Sequence, residues 1–347
     1  MIMKKKIIAL MSAVVMTAGM LAGCGATGDT EPEGATGTES GTSGSEAEAG
    51  DASGKVYKVG ICQLLEHDAL GAATEGFQDA LIELLGEGNV VFDYQNAQGE
   101  QANCTIICTQ FVADNADLIL ANATASLQAA TAATNTIPIL GTSITDYATA
   151  MDIDDFSGAT GTNVSGTSDL APIEEQEDML LELFPDVKKV GILYCSAEAN
   201  SVYQAQVFES CLDADGIAYE EFTAADSNEI QAVVTSACQS CDVIYIPTDN
   251  TMANNTEAVN NICLPAGVPV ITGEENMCAG CGVATLSISY YDIGYKAGEM
   301  AYDILVNGAD VSTMAIQYAP QVNKKYNKEI CEQLNITIPD GYTAIGE

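Results

Sequence analysis

VYKVGICQLLEHDALGAATEGFQDALIELL, residues Val56 to Leu85, reads as a strand, a loop and a helix in direct succession. Val56 to Cys62 is apolar and β-prone apart from Lys58, and Lys55 flanks it, which is the pattern of a buried strand. From about Leu70 onward, Phe77, Leu81, Leu84 and Leu85 recur at helical spacing, so this half predicts an amphipathic helix. Between them, Gln63-Leu64-Leu65-Glu66-His67-Asp68 fits neither period and holds the chain's single histidine. In an α/β fold, the loop that leaves the carboxyl end of a strand and enters a helix is where ligands bind.

Outward from this unit, strand and helix keep alternating. Asn89 to Tyr94 is β-prone, Glu100 to Asn115 helical, and Ala116 to Ala121 a strand. The small polar turn Asn122 to Ser126 leads into an alanine-rich helix, and Ile137 to Gly141 is the next strand. Such alternation implies right-handed βαβ units on a parallel sheet. A second copy begins near Asp186, where Lys189-Val190-Gly191-Ile192 repeats Lys58-Val59-Gly60-Ile61, and both are followed by a polar loop and a helix. The expected fold is therefore α/β, with two doubly wound parallel-sheet lobes. The first takes residues 55–168 plus 290–310, and the second 169–289 plus 311–347. Met314 to Tyr318 reads as a strand, and about Asn323 to Leu334 as a polar helix.

At 347 residues and 47% hydrophobic, the chain can bury two ordinary cores. Its formal net charge of −38 argues against nucleic acid and against an anionic membrane face as partners. The amino terminus has the layout of a secretion signal over residues 1–23: Lys4-Lys5-Lys6, an apolar stretch from Ile7 to about Met20, then Leu21-Ala22-Gly23. Cys24 follows directly, as at a bacterial lipobox, so a lipid at Cys24 is expected to tether the mature chain to the outer face of the membrane. Residues 24–54 are rich in Gly, Ser, Thr and acids, and read as a flexible linker.

The strand-end loops carry the candidate chemistry. A free α-amino acid presents a carboxylate and an ammonium, and both need partners when desolvated. Hydroxyls at helix starts (Thr124, Ser126, Ser143, Thr145) suit the carboxylate. The acids Asp146, Glu198 and Asp249 suit the ammonium, and Asn122, Asn200 and Asn250 can fix orientation. For each of these the competing reading is a helix N-cap and nothing more. Glu66-His67 could meet the ligand or the opposing lobe, or serve as a structural contact. One histidine leaves no His-based metal cluster or Ser-His-Asp triad, and no Gly-rich phosphate loop appears. Twelve cysteines include Cys238-x-x-Cys241 and Cys278-x-x-Cys281, which could suggest zinc or redox chemistry. Several others, such as Cys62, Cys195 and Cys263, lie in or beside apolar runs, where thiols pack as small hydrophobes.

The run Gln63-x-x-Glu66-His67-x-Ala69-Leu70 with Gly76-Phe77 resembles the opening of a family of bacterial ABC-transporter substrate-binding lipoproteins, whose best-known members bind tryptophan and other aromatic amino acids. Further stretches resemble it in order: Ile144-Thr145-Asp146, Asn163-Val164-Ser165-Gly166, Ser196 to Ser201, Ile246 to Thr251, Gly273-Glu274-Glu275 and Tyr290 to Gly294. The resemblance covers about Val56 to Pro339. It implies a type I periplasmic-binding-protein fold with three crossovers and a hinged cleft, an ABC permease as partner, a monomer, no cofactor or metal, and no enzymatic activity. The family's Thr-Pro turn is Thr124-Ala125 here, its Pro after the His is Asp68, and Cys278-Ala279-Gly280-Cys281 is unusual. With the loop neighbours Gln63, Leu65, Ala123, Ser201 and Glu274 added, the expected ligand set is Gln63, Leu65, Glu66, His67, Asn122, Ala123, Thr124, Ser143, Thr145, Asp146, Glu198, Asn200, Ser201, Asp249, Asn250 and Glu274. The alternatives are a binding protein for a nucleoside or sugar, and a CxxC-based redox or metal protein.

Overall fold

The computed structural model describes residues 54–346, so the secretion signal, Cys24 and nearly all of the acidic linker lie outside the described residues. The first lobe runs β1 (Tyr57–Gln63), α1 (Asp68–Leu85), β2 (Val90–Asn96), α2 (Gln101–Ala113), β3 (Leu118–Asn122), α3 (Thr124–Ala133), β4 (Ile139–Ile144), α4 (Tyr147–Met151) and β5 (Val164–Ser168). The second runs α5 (Ile173–Leu183), β6 (Lys189–Cys195), α6 (Ala199–Asp215), β7 (Ala218–Ala224), α7 (Ile230–Ser240), β8 (Val243–Ile246), α8 (Asn250–Ala253), α9 (Thr256–Ala266), β9 (Val270–Thr272), α10 (Glu275–Cys281) and β10 (Ala284–Ser287). The chain then returns through α11 (Tyr290–Leu305) and β11 (Gln317–Tyr318), and ends with β12 (Asn323–Tyr326), α12 (Lys328–Leu334) and β13 (Thr343–Ala344). Among the described residues no helix is long and apolar enough to cross a membrane.

The sheet orders are β2-β1-β3-β4-β5-β11 and β7-β6-β8-β9-β10-β12-β13. Pairing is parallel except between β10 and β12. In each sheet the order reverses at the lobe's first strand: β1 sits between β2 and β3, and β6 between β7 and β8. Chains leaving those neighbouring strands diverge to opposite faces and leave a crevice at the carboxyl ends. The repeated Val-Gly-Ile has a packing cause. A Cβ at Gly60 would lie 2.5 Å from Cγ of Phe111, so the α2 ring rests directly on β1. At the matching Gly191 the neighbour is Cys241, 3.3 Å from such a Cβ.

The carboxyl-terminal third corrects two expectations. Gln317 and Tyr318 pair with Thr167 and Ser168 of β5, so 311–318 stays with the first lobe and the chain changes sheets after Tyr318, not after 310. Asn323 to Tyr326 is not the start of a helix. It pairs antiparallel with β10, and the helix begins only at Lys328, with the Asn327 side chain accepting from the Ile330 N–H. The lobes are thus joined at three places: between β5 and α5, between β10 and α11, and between β11 and β12. α11 seats on α1 backbone to backbone. A Cβ at Gly294 would fall 2.0 Å from the Ala73 carbonyl oxygen, and one at Gly76 would fall 2.1 Å from that of Tyr291.

Candidate functional site: the cleft between the lobes

Both crevices open toward each other, and two spaces lie between them. The outer one, about 710 Å³, is bounded by Leu65, Glu66, Glu100 and Thr124 from the first lobe and by Glu198, Asn200, Ser227 and Thr251 from the second. That size is ordinary for a small-molecule site. The inner one is about 10 Å³, the room of a single water. His67, Leu70, Ser143 and Thr145 line it from the first lobe, Asn200, Thr248, Asp249, Asn250, Ala253 and Glu274 from the second, and Asp169 and Tyr290 from the crossings.

Strand ends aim these groups. β4 carries a register shift between Gly141 and Ile144, and Ser143 takes a positive φ of 54° there. A non-glycine residue in that region marks stored strain, which is common where a side chain must point at a ligand. Ser143 is buried and its Oγ has no hydrogen-bond partner. Ala123, at the end of β3, is also left-handed, with φ 88°. Tyr290 donates to Asp169 Oδ2 at 2.9 Å and Thr145 donates to Oδ1 at 3.1 Å, which ties two crossings to β4.

Three carboxylates face the inner space: Asp169, Asp249 and Glu274, at 4%, 1% and 2% exposure. Among the described residues that line it, none is Lys or Arg. Asp249 caps α8, accepting from the Met252 N–H at 2.8 Å and from the Cys195 N–H at 2.7 Å. Glu274 caps α10 through the N–H groups of Asn276 and Met277. These bonds favour the charged forms, but desolvation outweighs them. It pushes Glu274 up to about 7 and raises Asp169, and with the nearby Glu198 charge it raises Asp249. A cation placed among them would relieve that penalty.

His67 closes the space from the first lobe. Its Nε2 lies 3.2 Å from Asn250 Oδ1 across the cleft, and Nδ1 is buried without a partner. Burial lowers its pKa, against the Asn250 hydrogen bond and nearby acids, so the ring is held neutral. Asn250 is itself fixed, donating to Glu198 from its backbone at 3.0 Å and from Nδ2 at 2.7 Å.

Of the expected ligand set, the structure gathers His67, Ser143, Thr145, Asn200, Asp249, Asn250 and Glu274 around the inner space. Leu65, Glu66, Thr124, Glu198 and Asn200 border the outer one. Glu198 has both carboxylate oxygens engaged by Asn250 and Thr251, so it ties two second-lobe loops together. Gln63, Asn122, Ala123, Asp146 and Ser201 line neither space. Gln63 donates to the Leu65 carbonyl and accepts from Thr74, and Asn122 donates to the Leu70 carbonyl, all inside the first lobe. Asp146 caps α4 through the Thr149 N–H at 2.7 Å. Sequence reasoning missed Asp169, Thr248 and Tyr290. Asp169 and Tyr290 flank crossings it had located, but it weighed only strand-to-helix loops as ligand-bearing.

A family model described as ABC transporter substrate binding protein matches residues 58–345. A tyrosine-binding protein of Clostridioides difficile (strain R20291) is 31% identical over 338 residues, which is 97% of this chain and 94% of that protein. Among solved structures, a Streptococcus pneumonia ABC domain in complex with L-Trp matches with a TM-score of 0.80 at 30% identity, covering 84% of this chain and all of that one. The ligand-free, open structure of a Clostridium difficile substrate-binding protein with adhesive properties matches at 0.65 and 34% identity, covering 84% of this chain and 99% of that one. Two doubly wound lobes, three crossings and the match across the folded chain converge: this protein belongs to the ABC transporter substrate-binding protein family.

Proposed function

We propose that this protein captures a free aromatic α-amino acid, of tyrosine or tryptophan type, outside the cytoplasm and delivers it to an ABC permease. One observation carries the reading: three buried carboxylates converge on the cleft with no Lys or Arg among the described residues that line it, which suits an ammonium group. The unpartnered Ser143 hydroxyl is a donor for the ligand's carboxylate, and the outer space has the volume for an aromatic side chain. Relatives named for tyrosine and crystallised with L-Trp support the aromatic class. A sugar or nucleoside, the alternative, brings no ammonium to these acids. The mature chain is proposed to be a monomer held to the membrane by a lipid on Cys24.

The chain contains no tryptophan, so bound L-tryptophan can be followed by its own fluorescence. Saturable binding of L-tryptophan, L-tyrosine or L-phenylalanine is expected, together with loss of affinity for the analogue lacking the amino group. Equal affinity for the amine-free analogue would remove the basis of the proposal.

A further inference from the structure

The second lobe holds a pair of thiols that the cleft does not use. α7 and α9 pack against each other, and Cys238 of α7 meets Cys263 of α9 with the sulfurs 3.5 Å apart. Cys238 is half-buried and Cys263 buried, so Cys238 is the more accessible of the two. Neither lines the interlobe spaces. Other cysteines are placed for inertness. Cys62, Cys104 and Cys108 are fully enclosed in the first-lobe core, and burial pushes the Cys281 thiol up to about 12. Among the described cysteines with a shifted pKa, Cys238 is the one lowered, by the hydrogen bond with Cys263, which favours the nucleophilic thiolate. The family works outside the cytoplasm, where disulfides form and persist.

We propose that Cys238 and Cys263 are an oxidisable pair that a small-molecule disulfide converts into a covalent staple between α7 and α9. The Cys238 thiolate attacks one sulfur of the reagent, forms a mixed disulfide and expels one thiolate. Cys263 gives its proton to that thiolate and attacks the Cys238 sulfur. The Cys238–Cys263 bond forms and the second thiolate leaves. Two electrons pass from the pair to the reagent, which departs as one thiol and one thiolate, the latter taking up from water the proton that Cys238 released on ionising. Bond formation needs the sulfurs to close by about 1.5 Å, to the usual ~2.05 Å.

The test treats the reduced, folded full chain with oxidised glutathione, quenches in acid, alkylates, and digests with a glutamate-specific protease. Cleavage after Glu229, Glu257 and Glu274 separates Cys238 from Cys263. The expected result is a loss of two titratable thiols and a covalent link between peptides 230–257 and 258–274. Cys238→Ser should abolish the link and Cys241→Ser should retain it, with ligand affinity unchanged within twofold in both. An unchanged thiol count, or a bond joining Cys238 to Cys241 or Cys263 to Cys281, would overturn the proposal.

Discussion

Asp169, Asp249 and Glu274 are charged groups held where charge is costly, and this sets how the site responds to substitution and to pH. In Glu274→Gln the single amide oxygen can keep one of the two N–H bonds at the start of α10, while the charge facing a bound ammonium is gone. Truncating one partner of a buried charge pair costs about 2–5 kcal/mol, so the Kd for tyrosine or tryptophan should rise by roughly 30-fold or more. The thermal midpoint should change far less than the affinity, because the relief of a desolvated charge is opposed by the lost half of the cap, and calorimetry reads both. The sign of the pH effect follows from pKa values raised by burial. Over the range between the ordinary carboxylate pKa and about 7, the ligand-free fold holds more protons than the unfolded chain. Stability without ligand therefore declines as pH rises through that window. Binding an ammonium prefers ionised acids, so affinity should increase from pH 6 to 8 with proton release on binding. Titration calorimetry in buffers of different ionisation enthalpy would show that release, and a flat profile would deny the acids their role.

Elements were legible where burial imposed a period. Leu118 to Ala121 and Val190 to Cys195 are buried on both faces of parallel sheets, so their continuous apolar runs announced strands. β12, Asn-Lys-Lys-Tyr, has no such run, since it is a partly exposed strand defined by antiparallel pairing with β10 that no local pattern encodes. The site divided the same way. Residues beside the strand ends, such as His67 and Asp249, were visible from position, whereas Asp169 and Tyr290 depend on where the crossings pass. Helix-capping acids looked alike in sequence, and only the fold separates Asp146, which lines neither interlobe space, from Asp249 and Glu274. Glycine supplies a test of packing at this scale. Gly60→Ala drives a methyl into the Phe111 ring and should destabilise by about 1–3 kcal/mol. Gly71→Ala, with nothing within 4 Å of the added methyl in the first turn of α1, should stabilise, by up to roughly 0.5–1 kcal/mol. Urea unfolding of the two variants should give shifts of opposite sign.

At the scale of the molecule, the proposed capture works through a change in the angle between lobes, driven by the ligand's contacts to both. The His67–Asn250 contact joins the lobes directly across the inner cleft. His67→Ala should favour the open form: X-ray scattering should show a larger ligand-free radius of gyration and a smaller contraction on saturation with tyrosine. Unchanged scattering would mean that the contact does not hold the lobes. The three crossings carry a consequence for biogenesis. α1 is an early segment, but the partner for its Ala73 and Gly76 face is α11, which lies beyond the whole β6–β10 portion of the second lobe. The amino-terminal half therefore cannot seal as a finished unit while the chain is still being delivered. Under the proposed export, the α1–α11 seam can close only after Leu305 has crossed, so the first lobe is completed on the side where it is needed.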